Sequence, residues 1–548
     1  MIKQFTQGRF KQLFPSGVIL AVIIIASVIR LHLLEIPLER DEGEYAYIAQ
    51  LLMHGEPLYV SAYSMKLPAI YFVYAAVMAI LGQSPYGIHM GLVLITAITT
   101  MLVFLLARRI LGSYAGVMAG AAFSLLALGK YALAFNIEHL IILLVLSGFL
   151  ALLSAINRGG GFLLSGLIFG LAFIAKQHAV FFILFGVFYI FWAHTMIRPI
   201  SMPATLKRVS LFLAGAASPF IFICLYIYAV GAFGAFWFWV FEYAARYCAL
   251  MTFSEGIKSF LYVSGKMIGS SPLVWAAAGI GLITAVRSGL GRDKIVFIMG
   301  FSVSSFLAIT PGLYFRHHYF IFLFPVIAVF AGVVARYAGQ FLSAKGISRP
   351  ARNAILAVMV ILFFGLSVFQ QKGFLFQLNP ADACRDIYNR APFTESVEIA
   401  RYIEDNSGKN SRVLVLGSEP QIYFYLRRHA PVKYIYMYPL LENTPYTMSL
   451  QKRFREEVES SKPEYLICVN VDTSWFNGYV SPDLAKPLFD WVNTYPRKYY
   501  DVVGAVDMIS NNHSVYSWGE GAKDYRLKSD RYIIIFKRKA SLSDDKNA

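Results

Sequence analysis

Long apolar runs alternate with short polar connections over the first two thirds of the chain and stop near Gln371. A helix needs roughly 20 apolar residues to cross the hydrocarbon core of a bilayer, and most of these runs have about that length. The pattern predicts a mostly α-helical, multi-pass membrane domain over residues 1–371. Its eleven predicted spans lie near residues 17–35, 86–107, 113–131, 138–156, 162–176, 178–195, 209–231, 271–286, 295–310, 319–335 and 353–370.

After Gln371 charged and turn-forming residues become frequent, and helical periodicity alternates with strand-like apolar runs. Such alternation is typical of an α/β layer structure, so we predict a soluble, three-layer α/β domain over residues 380–540. It has no GxGxxG or Walker motif, and nucleotide binding is not expected. The predicted helices lie at 395–406, 419–428, 444–461 and 483–494, and the predicted strands at 412–417, 432–439, 464–470, 499–509 and 531–537.

Basic residues in the connections predict the orientation of the membrane domain. Lys and Arg concentrate in every second connection, as at Arg108, Arg109 and Arg158, and the positive-inside rule places those connections in the cytoplasm. The N-terminus is then cytoplasmic and the C-terminal domain extracytoplasmic. Between the first two spans, residues 43–54 and 68–82 are too short or too polar to cross, and we predict helices lying in the membrane interface.

Composition narrows the class of protein further. Hydrophobic residues make up 57% of the 548 residues, which excludes an ordinary soluble protein. The net charge of +17 would suit nucleic acid, but Lys and Arg punctuate the hydrophobic segments and form no basic stripe, so no nucleic-acid partner is expected. The four cysteines lack metal-ligand spacing.

The most informative polar cluster is RDEGEYAY, residues 40–47, at the outer end of the first span. A second outward-facing segment delivers the cation Lys66 to the same surface. Charges beside a span are often a plain interfacial stop. Acidic and cationic side chains that converge at an interface are also how a site for a polar head group is built.

The stretch RDEGEYAYIAQLLMHGEPLY with the following MKLP resembles the first external loop of GT-C fold membrane glycosyltransferases of the family 39 type, the protein O-mannosyltransferase and aminoarabinose transferase group. The resemblance covers most of the chain and implies a GT-C fold. Further similar segments are AFNIEH (134–139), SGLIFGLAFIAKQHAVF (165–181), FWFWVFEYAARY (236–247), RHHYFIFLFP (316–325), PFTESVEIARYI (392–403) and VLGSEPQIYFYLRR (415–428).

The resemblance implies an inverting transfer of sugar from a polyprenyl-phosphate donor to an acceptor hydroxyl on the outer face of a bacterial plasma (inner) membrane. The acceptor is a cell-envelope lipid, a glycan or a protein. A carboxylate within reach of that hydroxyl can accept its proton, which makes Asp41 the candidate base. Lys66 and Arg40 are the candidates that stabilise the departing lipid phosphate. Glu42 orients the acceptor, holds Lys66 or contributes to an occasional metal site.

No cofactor is predicted, and a divalent metal stays an open alternative. In the aminoarabinose transferases a glutamate directly precedes the lysine that corresponds to Lys66, whereas this chain has Met65. The difference argues against a cationic amino sugar as donor.

Further candidates lie at the other outer turns. Arg316 and His318 are candidates for contact with the donor phosphate, and a metal site at the adjacent histidines is not expected. Glu44 and Tyr45 are candidate substrate-binding residues within the cluster.

Three more substrate-binding candidates each have a structural alternative. Glu138 either serves the site or caps a helix, since acidic residues at that depth are costly and tend to be functional. Lys176 belongs either to the site or to a simple turn. Glu242 lies in a stretch that also reads as an interfacial aromatic belt.

Two other classes of function compete with the transferase. A transporter or flippase of a lipid-linked sugar would also need many spans, but no internal repeat is evident and the ionisable residues gather at outer turns. A non-catalytic scaffold would have no need for the grouping of Asp41, Glu42 and Lys66.

Overall fold

The computed structural model describes residues 2–285, 287, 289–389, 391–476 and 480–540, with side chains from residue 15 onward. The first part is helical, and all strands of the described residues belong to the C-terminal part. The helices of the first part are α1 Ile2–Leu31, α2 Arg40–Met53, α3 Ala69–Leu81, α4 Pro85–Leu111, α5 Ser113–Leu128, α6 Ile137–Arg158, α7 Phe162–Phe173, α8 Val180–Trp192, α9 Met202–Ala229, α10 Phe233–Trp237, α11 Ala244–Cys248, α12 Phe253–Ser270, α13 Pro272–Ala285, α14 Arg292–Ile309, α15 Phe324–Ala344 and α16 Arg349–Gln370.

Each predicted span coincides with a helical segment. Within the described residues, six segments are long and apolar enough to cross a membrane singly, and α12 with α13 forms a bent pair that is a seventh candidate. Further apolar helices, such as α5 and α7, are shorter. The number of eleven crossings stays a prediction.

Helix α12 was not predicted. It meets α13 at 105°, and its apolar residues alternate with polar ones such as Lys258 and Lys266. A search for continuous apolar runs therefore finds α13 but misses α12.

The two segments predicted between the first spans are helices α2 and α3. Helix α2 begins at Arg40 because Glu39 and Glu42 form a capping box, in which each side chain accepts a hydrogen bond from the other residue's backbone N–H at 3.3 Å. The helix start therefore fixes the direction in which each side chain of the polar cluster points.

The C-terminal part contains one five-stranded sheet with the order β1-β2-β5-β3-β4. Strands β1 and β2 are parallel, and the other neighbours are antiparallel. The strands are β1 Val413–Leu416, β2 Tyr465–Asn470, β3 Tyr500–Ser510, β4 His513–Trp518 and β5 Tyr532–Arg538, and the helices are α17 Pro380–Tyr388, α18 Phe393–Asp405, α19 Gln421–Leu426, α20 Thr447–Ser461, α21 Pro482–Tyr499 and α22 Glu520–Lys523.

All four helices predicted here are present as α18 to α21, but the strand predicted at 432–439 is wrong. That segment is a loop that packs against the membrane part: Tyr63 donates its backbone N–H to Lys433 O at 3.0 Å and its hydroxyl to Tyr436 O at 2.8 Å. Its backbone groups are thus satisfied outside the sheet. The edge strand β4 was missed, and its partly exposed residues explain the weak apolar signal.

Candidate functional site

A cavity of about 800 Å³ lies where the α1–α4 connection meets the C-terminal part. Its lining combines charged and polar side chains with apolar side chains near α8, α11 and α12. Such a cavity suits a ligand with a charged head and an apolar tail. The polar residues of the lining include Glu39, Arg40, Asp41, Glu44, Ser64, Lys66, Asn136, Lys176, Arg316, His317, His318, Tyr436 and Tyr438, and the apolar residues include Val180, Phe181, Val240, Phe241, Ala244 and Val263.

Asp41 and Lys66 form the central ion pair of the cavity. Lys66 Nζ lies 3.2 Å from Asp41 Oδ1 and 3.3 Å from the hydroxyl oxygen of Tyr45. Both charged side chains are about one fifth exposed, at 20% for Asp41 and 22% for Lys66, and both line the cavity. The structure therefore brings the predicted base and the predicted phosphate ligand together in one wall.

This pairing controls the charge of both groups. Burial alone would raise the pKa of Asp41, but the surrounding positive charges, Lys66 first among them, together outweigh burial, and the pKa of Asp41 lies well below its ordinary value. Burial would likewise lower the pKa of Lys66, but the nearby acidic groups, Asp41 first and then Glu44, together outweigh burial, and that pKa is raised. Asp41 is thus an ionised carboxylate and Lys66 an ammonium group.

Glu42, the neighbour of Asp41, points away from the cavity. It is 1% exposed, and its Oε1 accepts a hydrogen bond from Phe135 N at 2.6 Å. The same oxygen lies 3.1 Å from His89 Nε2. With its part in the capping box of α2, Glu42 connects that helix to α4 and to the α5–α6 turn. This geometry gives Glu42 a structural position.

Arg40 lines the cavity, but its guanidinium is held by the C-terminal part. Arg40 Nε donates to Ser418 O at 2.5 Å, and Arg40 Nη2 lies 2.6 Å from Glu419 Oε1. The guanidinium also lies 5.6 Å from the ring centroid of Phe393 and 5.7 Å from that of Tyr438. These contacts leave Arg40 less able to bind a phosphate than the sequence suggested.

Glu44 and Tyr45 complete the inner wall of α2. Glu44 Oε1 accepts hydrogen bonds from Ser64 Oγ at 2.5 Å and from the Tyr71 hydroxyl at 3.1 Å. Burial raises the pKa of Glu44, although the charge of Lys66 acts in the opposite direction. Tyr45 does not line the cavity directly and reaches it through its hydroxyl, which contacts Lys66.

Lys176 brings a second ammonium group to the cavity. Its Nζ lies 2.6 Å from Glu138 Oε1 and 4.0 Å from the ring centroid of Tyr319. Glu138 itself is fully buried behind Lys176. Both residues are thus part of the site region, with Lys176 in the wall and Glu138 as its support.

Two of the remaining candidates reach the cavity and one does not. Arg316 and His318 line the cavity, and Arg316 Nη2 donates to the Tyr247 hydroxyl at 2.8 Å. Glu242 is exposed and lies outside the lining.

Sequence reasoning missed two tyrosines that the C-terminal part contributes to the cavity. Tyr436 and Tyr438 line the cavity, and Glu419 holds Arg40. The one available signal was the resemblance of residues 415–428, which contain Glu419 but neither tyrosine. Both tyrosines lie in the segment wrongly predicted as a strand.

Among the described residues, no group of three or more His, Cys, Asp or Glu side chains is arranged to hold a metal ion. Metal-independent chemistry stays a prediction.

Comparisons with known proteins agree with this architecture. The family of dolichyl-phosphate-mannose-protein mannosyltransferases matches residues 65–223, which include Lys66, Glu138 and Lys176 but not Asp41. No curated protein sequence matches the chain.

Solved structures match over nearly the whole chain. ArnT from Cupriavidus metallidurans bound to undecaprenyl phosphate is 17% identical, with 96% of this chain and 99% of that chain covered and a TM-score of 0.59. The oligosaccharyltransferase AglB from Archaeoglobus fulgidus, in complex with an inhibitory peptide and a dolichol-phosphate, is 13% identical, with 95% and 76% covered and a TM-score of 0.53. The chain therefore has the GT-C fold with a C-terminal sheet domain, and its resemblance to the protein O-mannosyltransferase-like membrane glycosyltransferases is confirmed.

Proposed function

We propose that this chain transfers a sugar from a polyprenyl-phosphate carrier to a hydroxyl group of a cell-envelope acceptor on the extracytoplasmic face. The observation that carries the proposal is the Asp41–Lys66 pair, 3.2 Å apart, in the wall of a cavity lined by both charged and apolar side chains. Two proteins of similar fold support it, since ArnT was solved with undecaprenyl phosphate and AglB with a dolichol-phosphate.

Asp41 serves as the base in this proposal. The acceptor oxygen attacks the anomeric carbon and its proton passes to the Asp41 carboxylate, while the bond between that carbon and the phosphate oxygen breaks. The bonding electrons stay on the phosphate, which leaves as polyprenyl phosphate. Attack from the face opposite the phosphate inverts the anomeric centre.

Lys66 links donor binding to the strength of the base. A carboxylate that is paired with an ammonium group is a weak base, because its proton affinity is low. When the donor phosphate binds Lys66, this cation is shared between two anions and Asp41 becomes more basic. The donor thereby activates the group that deprotonates the acceptor.

Two further cations stabilise the leaving phosphate. Lys176 and Arg316 line the same cavity, and a charge that develops in a poorly hydrated site is stabilised best by fixed positive groups. The apolar side chains near α8, α11 and α12 receive the first isoprene units of the carrier.

The charges of the cavity also favour a neutral sugar. Asp41 and Glu138 are both paired with lysines, and Glu44 already accepts two hydrogen bonds. These three carboxyl groups are therefore already engaged, and Met65, at the position where the aminoarabinose transferases have a glutamate, also argues against a cationic amino sugar.

The test is sugar transfer by the purified protein from a panel of polyprenyl-phosphate sugars, neutral and amino-substituted, to cell-envelope lipid, glycan and protein fractions. Asp41→Asn and Lys66→Ala are compared with Asp490→Asn and Lys486→Ala, two exposed residues of α21. We expect the wild type and both controls to transfer sugar, and each cavity variant to lose at least a hundredfold in kcat/KM.

Two outcomes would contradict the proposal. If the cavity variants transfer as well as the controls, Asp41 and Lys66 have no part in the reaction. If no protein transfers sugar but liposomes containing wild type translocate the lipid-linked sugar, the chain is a flippase.

A further inference from the structure

The C-terminal part packs directly against the helix that carries Asp41. Helix α2 contacts α19 so closely that a Cβ atom added to Gly43 would lie 2.6 Å from the backbone N of Gln421. Further along α2, the Tyr47 ring lies 5.3 Å from the Tyr423 ring, and the Tyr47 hydroxyl accepts a hydrogen bond from Ala430 N at 2.8 Å. One face of α2 thus belongs to the interface with the C-terminal part.

The first turn of α2 is held by a buried ion pair across this interface. Glu419 is fully buried and accepts hydrogen bonds from Arg40 at 2.6 Å, from Ser474 Oγ at 2.7 Å and from Gln421 Nε2 at 2.7 Å. A carboxylate with three donors is rigid, and an arginine bound to such a carboxylate and to Ser418 O is held in one orientation. The backbone of Arg40 leads directly into Asp41.

Tyr436 contacts the same turn from the cavity side. Its hydroxyl lies 3.1 Å from the carbonyl oxygen of Arg40 and 3.4 Å from Asp41 Oδ1. Lys66 binds the same carboxylate oxygen, Oδ1. With Oδ1 occupied by Tyr436 and Lys66, the second oxygen of Asp41 is the one left to receive a proton.

We propose that Glu419 and Tyr436 of the C-terminal part are positioning residues for Asp41, so that this part completes the reactive site and does not merely cover it. The inference rests on the proposed transferase function. Glu419 acts through Arg40 and sets the first turn of α2, and Tyr436 sets the rotation of the carboxylate. Arg40 accordingly acts as a connector between the two parts of the chain.

The experiment compares Tyr436→Phe and Glu419→Gln with the wild type in the full-length protein. Tyr500→Phe is the matched control, since the Tyr500 hydroxyl donates to Pro463 O at 2.8 Å, away from the cavity lining. For each protein, kcat and the donor KM are measured, together with the dissociation constant for undecaprenyl phosphate. The temperature of thermal unfolding is recorded as a check on folding.

We expect kcat to fall about tenfold in Tyr436→Phe, because one hydrogen bond to a charged group is lost. The donor KM and the undecaprenyl phosphate dissociation constant should stay within twofold of the wild type, because the cations proposed to bind the phosphate are unchanged. Glu419→Gln should lower kcat further, since Arg40 loses its charged partner. If Glu419→Gln does not fold, the kcat of Tyr436→Phe compared with that of Tyr500→Phe tests the inference.

The inference is overturned if Tyr436→Phe has the kcat of Tyr500→Phe, or if its kcat falls only together with donor binding and unfolding temperature. Failure of the proposed function looks different: a wild type that transfers no sugar from any donor of the panel removes the basis of this inference as well.

Discussion

Adjacent residues of one helix have opposite environments in this protein. Asp41 and Glu42 are both acidic and both belong to the first turn of α2, yet Asp41 lines the cavity and Glu42 is buried against His89 and Phe135 N. Successive side chains of an α-helix point about 100° apart, so only one of the two can face the cavity. Residue type made both of them candidates, and helical direction separates them.

At this scale we predict that Glu42→Gln mainly destabilises the fold. The amide cannot match all the donors that surround the carboxylate, and loss of a buried hydrogen bond to a charged group costs about 1.5–3 kcal/mol. Thermal unfolding should shift to lower temperature in Glu42→Gln and stay unchanged in the exposed control Glu404→Gln. If Glu42→Gln instead unfolds at the temperature of the wild type but no longer transfers sugar, Glu42 takes part in the reaction.

The local sequence pattern predicts a helix or strand correctly where the surroundings of that element are uniform. Spans such as α6 and α16 were predicted because each has about 20 consecutive, mostly apolar residues. The loop at 432–439 was mispredicted because its apolar residues pack on the α1–α4 connection and not in the sheet. Helix α2 depends on both local and distant residues. Its start is set by a local capping box, and one of its faces packs on α19 across the interface.

For this element we predict that Gly43→Ala destabilises the protein. In an ordinary helix the exchange stabilises by about 1 kcal/mol, but here the new methyl group would meet the backbone of Gln421. Calorimetry or a thermal shift assay should show a lower unfolding temperature for Gly43→Ala. Gly265→Ala in α12, where nothing lies within 4 Å, should show an equal or higher one.

The whole molecule is joined by contacts between the C-terminal part and the membrane part on more than one side of the cavity. In addition to the Arg40–Glu419 pair, the Tyr243 hydroxyl donates to Glu442 Oε2, and the ring centroids of Phe238 and Tyr446 lie 5.0 Å apart. The site is therefore enclosed by both parts.

The Glu442 contact predicts a pH dependence of stability. Burial raises the pKa of Glu442 from 4.5 to about 7, although the Tyr243 hydrogen bond and the charge of Arg316 act in the opposite direction. Because the pKa of Glu442 is higher in the folded state, protonation of this side chain stabilises the fold. This stabilisation is complete below about pH 4.5 and is lost as the pH rises to about 7. The unfolding temperature of Glu442→Gln relative to wild type should therefore rise between pH 4.5 and 8.

A difference between the two proteins that is constant over this pH range would contradict the assignment. Glu456→Gln, at an exposed position of α20, is the control and should follow the wild type at each pH.

The orientation of the molecule in the membrane is tested by cysteine labelling in whole cells. In a background without the four native cysteines, a membrane-impermeant thiol reagent should label Lys452→Cys in the C-terminal part and should not label Lys207→Cys at the start of α9 until the cells are opened. The reverse labelling pattern would place the C-terminal part in the cytoplasm and contradict the proposed site of transfer.

The sequence by itself determined the features that depend on local chemistry. A bilayer demands long apolar segments, and a layered domain demands alternating periodicities. A charge cluster beside a span also stands out. Most of the helical segments, most of the sheet domain and the site candidates Asp41 and Lys66 were therefore predicted. The tertiary structure alone decided which side chains meet. Arg40 and Glu419 are 379 residues apart, and Tyr436 reaches Asp41 from a loop with no local signal. Such contacts depend on how whole elements pack, which no local pattern encodes.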